Sequence, residues 1–219
     1  MLPFVPARSS TSLHLRCRPT QQRSVETFQL VLDTAATLLE RHGFGGFTTN
    51  LLADEAGVTV RAVYRYFPNK HAVVAELAQQ MASRWRAAVG AVGDLADTSL
   101  EWTQLWRSYL ETYVAAVRST PGARAVLSAM RDDPQLRAVD DIANREYVAG
   151  IEAALAIRNP HLHAGTAHTA AVVLMRTTVA VLDAAFESDD HTATRLVDHL
   201  VVMHTALLAS LLDDTAIAP

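Results

Sequence analysis

The sequence predicts an all-α protein in two parts, a small head followed by a larger helical bundle. Three observations carry that prediction. Glycine and proline are sparse between residues 20 and 212 while alanine and leucine abound, which is a helix-forming composition. Apolar residues recur at three- and four-residue spacings along most of the chain, and no alternating strand pattern competes with them. The charge is divided: residues 1–90 carry ten Lys or Arg against six Asp or Glu, and residues 91–219 carry nine against seventeen. A basic part and an acidic part on one chain point to two jobs, one of them with an anionic partner.

Half of the 219 residues are hydrophobic, enough for a sizeable core and too many for a wholly disordered chain. Cys17 stands alone, so no intramolecular disulfide framework exists and a reducing cytoplasm is the natural compartment. The most apolar run, "AAVVLMRTTVAVLDAAF", is broken by Arg176 and Asp183, which argues against a membrane span.

Residues 1–20 hold three prolines, three arginines and no acid, with no periodicity and no signal-peptide apolar stretch. They read as a disordered basic tail. A basic arm against DNA and, less well given the prolines, a transit peptide are the alternatives. From Val25 the helical period is clear, with Phe28, Leu32, Ala35 and Leu39 on one stripe. Gly43 in "RHGFGGF" stops that helix. Thr48 or Thr49 caps a short second helix reaching Ala56, and Gly57 supplies a turn. Thr59 caps a third helix that Pro68 ends near Phe67, and Asn69 caps a fourth running to about Val89. The stretch "GAVGDLADTS" reads as a linker. Five further helices follow, at about 99–118, 121–131, 135–158, 162–187 and 190–212, divided by "STPG", "DDP", "RNPH" and "SDDH".

Two short helices joined at a glycine, the second one basic, form a helix-turn-helix layout. From Ala56 through Lys70 the only charges are positive. Ala53 is small where a crossing helix must come close, and Leu52, Ala56, Val58 and Val63 supply the apolar seam. With that seam satisfied, Val60, Arg61, Ala62 and Arg65 remain as the outward face, the two arginines suited to the paired acceptors of guanine. Thr49, Tyr64, Tyr66 and Lys70 stand around them as phosphate-type contacts, and Thr59 opens the same helix.

The stretch "TTNLLADEAGVTVRAVYRYFPNK", residues 48–70, resembles the DNA-binding signature of the TetR family of transcriptional regulators. The matching pieces are the Thr-Thr start, "LADEAGV", the "VYRYF" aromatic cluster and the "PNK" that opens helix 4. The specific likeness covers about 50 residues, and the rest agrees only in helix number and length. The resemblance implies an N-terminal three-helix DNA-binding domain at 21–68, a connecting helix at 69–90, and a C-terminal ligand-binding and dimerisation domain at 91–219. It implies a homodimer on palindromic double-stranded DNA, released by a small-molecule effector, in the cytoplasm. It also carries the phosphate roles onto Thr49, Tyr64, Tyr66 and Lys70 and the base-facing role onto Val60, Arg61, Ala62 and Arg65. Arg61 departs from the family pattern, where a small residue is common, and Tyr66 stands where a histidine is frequent.

In the larger part, Trp102, Trp106, Tyr109 and Tyr113 share one helix face, either as core or as the wall of a hydrophobic-ligand pocket. Met130, Tyr147, Met175 and Arg176 are further candidates for that pocket, with His168 and Arg176 read as polar groups in apolar surroundings. Helices 8 and 9 are apolar on more than one side, so one side faces the domain and the other wants a second copy. The expected dimer row is Leu174, Thr178, Val181, Val197, Val201 and Leu208.

Two rival functions stay in view. "RDDP" at 131–134 and "VDDIANRE" at 139–146 are reminiscent of all-α, magnesium-dependent enzymes acting on a diphosphate. Only Asp141 and Arg145 have a clean i, i+4 relation, which reads as a salt-bridged face. His161, His163 and His168 lack the spacing of a helical metal site. The sequence thus calls for no catalytic residue, no metal and no cofactor. The other rival is a ligand-binding module without DNA binding, whose sign would be a lost Lys70 or a broken turn.

Overall fold

The computed structural model describes residues 12–212, and every described regular element is helical. The elements are α1 (Gln22–Gly46), α2 (Thr49–Glu55), α3 (Val60–Tyr66), α4 (Lys70–Gly90), α5 (Trp102–Arg118), α6 (Ala123–Asp132), α7 (Arg137–Arg158), α8 (Ala164–Phe186) and α9 (Asp190–Leu212). They form two compact units. The first takes in residues up to Gln80 together with Ala125–Val139, and the second Met81–Arg124 with the chain from Asp140. The expected boundaries at 68 and 90 therefore miss one feature: most of α6 and the turn after it cluster with the head. His71 at the start of α4 and Asp133 after α6 account for part of this, with His71 Nε2 and Asp133 Oδ2 3.3 Å apart.

In the first unit the turn chemistry follows the residue types. Thr48 caps α2 by accepting from Leu51 N at 3.1 Å, and Thr59 caps α3 by accepting from Ala62 N at 3.2 Å. Gly57 sits at φ 63°, where a side chain would be strained, and the turn closes through Val58 N donating to the Ala53 carbonyl at 3.0 Å. Ala53 is fully buried at this crossing. Gly43 (φ 59°, ψ 177°) interrupts α1, which resumes for one more turn to Gly46 rather than stopping. The core gathers Phe28, Leu32, Leu39, Leu52, Val63 and Phe67, with Phe28 stacked on Phe67 at 5.2 Å.

The amino-terminal segment differs from the disordered tail expected of it. Residues 1–11 lie outside the described residues, but 12–20 dock on the end of α3. Arg16 donates its backbone N–H to the Tyr66 carbonyl at 2.8 Å and its guanidinium to the Tyr64 carbonyl at 3.1 Å. The Cys17 thiol reaches the Arg65 carbonyl at 3.4 Å. The last carbonyls of a helix have no intrahelical partner, and this strap satisfies three in succession. Asn69 donates to the Ser12 carbonyl, and Arg18 pairs with the buried Glu76 at 3.3 Å.

In the second unit α8 packs on α9 and α5 on α9. Both α8 and α9 are long and apolar enough to cross a membrane by length and composition, yet each buries one face in the bundle. The expected linker is tied down: the Arg158 guanidinium donates to the carbonyls of Leu95, Asp97 and Leu100. α5 begins at Trp102 rather than at about 99, and Glu101 caps it by accepting from Thr103 N and Gln104 N.

Candidate nucleic-acid interface and ligand cavity

The outward side of α3 carries Arg61, Tyr64 and Arg65, all exposed, with Val60 and Ala62 half-buried between them. A cleft of about 710 Å³ opens on this face and is bordered by Arg61 and Arg65 together with Arg16 of the strap and Arg23 of α1. None of these four arginines has a carboxylate partner among the described residues. Like charges gathered without counter-charge repel one another, and such a cluster is stabilised by a polyanion that displaces its own counterions onto solvent. Thr49 touches this face through the Tyr64 hydroxyl, 3.1 Å from its Oγ1, although Thr49 itself is nearly buried.

Two sequence-predicted contacts are engaged within the head itself. Tyr66 is only 2% exposed: its ring packs edge-on to Phe28 at 5.3 Å and its hydroxyl donates to the Ser24 carbonyl at 3.4 Å. The α3 period decides this, because position 66 lies three residues from the seam residue Val63. Lys70 donates from Nζ to the carbonyls of Phe44 at 2.9 Å and Phe47 at 3.3 Å, and the ammonium lies 4.1 Å from the centre of the Phe44 ring. It closes the α1–α2 turn, whose carbonyls the break at Gly43 leaves open. Arg16 and Arg23 border the same cleft, and of the two only Arg16 lies in the basic arm that the sequence marks out. The acid-free run ahead of Glu26 was the signal for them.

In the second unit Trp106 stacks on Tyr109 at 5.6 Å, and Trp85 meets Tyr113 edge-on at 6.2 Å. Burial pushes the phenols of Tyr109 and Tyr147 up, and that of Tyr113 to about 12, so all three are neutral hydroxyls near pH 7. A small cavity, about 30 Å³, is bordered by Trp102, Leu105, Trp106, Ile151, Leu155 and Leu208. Met175 is buried in the same unit, whereas Met130 is buried in the first unit. Arg176 and His168 are exposed rather than sunk in apolar surroundings, and His168 pairs with Glu152.

His204 is a further ionisable group buried in this unit, beside the phenols. It is 1% exposed, its Nε2 lies 2.7 Å from Thr177 Oγ1, and burial lowers its pKa to about 4. A lone histidine one turn before Leu208 on an otherwise apolar row was the signal. The expected dimer row fares differently again: Leu174, Thr178, Val197, Val201 and Leu208 are buried within the single chain and Val181 is half-buried. Val173 on α8 and Val202 and Met203 on α9 stay exposed, by 47%, 61% and 46%.

A helix-turn-helix head with an unneutralised basic face, joined to a helical unit with an aromatic interior, defines the class of DNA-binding regulators. Two family models place the chain within that class. Residues 31–77 match the bacterial regulatory proteins of the tetR family, and residues 101–208 match the tetracyclin repressor-like C-terminal domain. The chain belongs to the TetR family of transcriptional regulators, and it is not an enzyme.

Solved structures agree in fold. A SmeT–triclosan complex is 20% identical with a TM-score of 0.69, covering 89% of this chain and 95% of that one. SmeT, the repressor of the Stenotrophomonas maltophilia multidrug efflux pump SmeDEF, is 20% identical at 0.68, covering 90% and 96%. A transcriptional regulator from Pseudomonas aeruginosa PAO1 is 20% identical at 0.68, covering 91% and 94%. No curated protein matches the chain.

Proposed function

We propose that the chain is a homodimeric repressor in the cytoplasm that binds palindromic operator DNA and is released by an uncharged, hydrophobic small molecule. One observation carries the DNA reading: four arginines from the strap, α1 and α3 border one cleft without an acid beside them. Arg61 and Arg65, flanked by Val60 and Ala62, face base edges. Arg16 and Arg23, with Tyr64, Thr49 and Thr59 around them, serve the phosphate backbone. Two such heads set about 34–36 Å apart enter successive major grooves. The DNA-binding domain runs from the strap to 68, α4 connects, and 91–219 binds ligand and partner, with α6 attached to the head.

The second copy lies against the exposed row Val173, Val202 and Met203, since the inward rows of α8 and α9 are already occupied. A repressor of the same fold solved with triclosan supports a hydrophobic effector. The effector favours a head spacing that no longer fits the operator, with α4 as the covalent link that carries the motion, at a coupling of ~1–3 kcal/mol.

The test is the salt dependence of binding to a random-sequence duplex. Each lost phosphate contact reduces the slope of log K against log salt by about 0.9. Replacing Arg16 and Arg23 by alanine is expected to lower the slope by about 1–2 while leaving sequence preference intact. A wild-type chain that ignores duplexes in dilute buffer would overturn the function. An unchanged slope in the double variant would return only Arg16 and Arg23 to a structural role.

A further inference from the structure

The second unit contains a matched pair of unmet hydrogen-bonding atoms. Trp106 and His204 are 3% and 1% exposed, and their rings touch with centroids 5.8 Å apart. The indole Nε1 of Trp106 and the Nδ1 of His204 are both buried without a hydrogen-bond partner among the described residues. A buried polar group left unpaired is costly, so each such atom calls for an explanation.

The chemistry of the two atoms is fixed by their surroundings. The Thr177 hydroxyl has one hydrogen, which it donates along α8 to the Val173 carbonyl at 2.7 Å. Its oxygen also lies 2.7 Å from His204 Nε2, and a proton engaged with the helix carbonyls of Val173 and, at 3.2 Å, Leu174 leaves that oxygen to accept there. Burial keeps the imidazole neutral, so its single proton sits on Nε2 and Nδ1 carries a bare lone pair. The imidazole thus presents an acceptor and the neighbouring indole a donor. A hydroxyl is the smallest group that answers both.

The surroundings also exclude charge. Trp106 borders the small cavity with Trp102, Leu105, Ile151 and Leu208, and Leu208 lies one turn beyond His204. Arg158 is on the same rim, but its guanidinium is taken up by the carbonyls of Leu95, Asp97 and Leu100. A carboxylate would find no free cation there and would meet the His204 lone pair. An ammonium would lose its hydration for one acceptor. At about 30 Å³ the cavity has room on the order of one water, so an effector enters by displacing side chains. That displacement is what lets its binding energy differ between two conformations.

We infer that the effector, on the reading of this unit as the ligand-binding domain, is an uncharged and largely apolar molecule bearing a hydroxyl. Its O–H donates to His204 Nδ1, and its oxygen accepts from the Trp106 indole N–H.

Calorimetric titration of the full-length chain with 1-naphthol, 1-methoxynaphthalene and 1-naphthoate tests this, with DNA release measured alongside. The naphthol is expected to bind about tenfold tighter than its methyl ether, and the naphthoate not detectably. His204→Leu should remove the naphthol advantage and leave the ether's affinity in place. Trp106→Phe, which keeps the ring, should reduce the same advantage and serves if the histidine variant does not fold.

Equal binding of naphthol and ether overturns the inference, while release of DNA by both would leave the effector reading standing. Binding of neither overturns it too. A naphthol preference that depends on His204 but never alters DNA binding keeps the site and removes the effector reading.

Discussion

The α3 face and the interior between α5 and α9 are both unfinished, in opposite ways. On α3 the groups without a counter-charge are positive and point outward: Arg61 and Arg65, joined by Arg16 and Arg23, have no acid among them. Between α5 and α9 the unmet groups are neutral and point inward: the Trp106 indole N–H and the His204 lone pair. Exposed, unneutralised charge is cheap in water and selects a polyanion over distance. Buried, unpaired neutral groups are costly and select a ligand by hydrogen-bond complement at contact range. The difference assigns the two regions to two kinds of partner before either partner is seen.

The largest test of the outward side is replacement of both Arg61 and Arg65 by alanine. If each makes a bidentate base contact, the loss is roughly 2–6 kcal/mol in total on the preferred duplex. Fluorescence anisotropy on the upstream DNA, searched for an inverted repeat, should also show relaxed base preference. Uniform weakening over all sequences would move both arginines to the phosphate group and blur the comparison.

The inward side is tested by acid. The folded pKa of His204, about 4, lies below the ordinary 6.5, so the unfolded chain takes up this proton first as pH falls. The stability linked to this group is therefore intact above about pH 6.5 and lost progressively down to about pH 4, amounting to about 3 kcal/mol. Urea unfolding at pH 7, 5 and 4 should show that loss in the wild-type chain and a correspondingly flatter profile in His204→Leu. Parallel profiles would mean that the ring is not held neutral by burial.

Lys70 sharpens the contrast, because it is a head cation that is already paired. Lys70→Ala should cost about 1.5–3 kcal/mol of stability through its two carbonyl partners, read as a lower urea midpoint. It should leave the salt slope of DNA binding unchanged, whereas a lower slope would make Lys70 a phosphate anchor after all. The smallest expected effect is Thr59→Ala, about 1 kcal/mol from the lost α3 cap. It should weaken DNA binding slightly, through fraying of α3 and through loss of the threonine's place beside the phosphate-facing arginines.

Much of this was legible beforehand. The helix order, the turn at Gly57 and both threonine caps follow from local residue types, since capping and left-handed turns are decided within a few residues. The outward pair Arg61 and Arg65 was equally readable from the apolar seam that must lie behind them. The ligand and partner sets were not. The rows Leu174–Thr178 and Val197–Val201 had the same apolar character as their neighbours, and only the packing of α8 on α9 says which row is inside.

The chain's letters by themselves determined a helical regulator with a basic reading helix, because period, caps and charge sign are short-range properties. Tertiary structure alone decided that the segment before α1 straps the end of α3 and that Lys70 serves carbonyls 23 and 26 residues earlier. It also decided that Tyr66 belongs to the core and that a lone histidine meets an indole from another helix. Each of these is a contact between residues far apart in sequence. Such a contact is set by which surfaces exclude water together, and no local pattern records that.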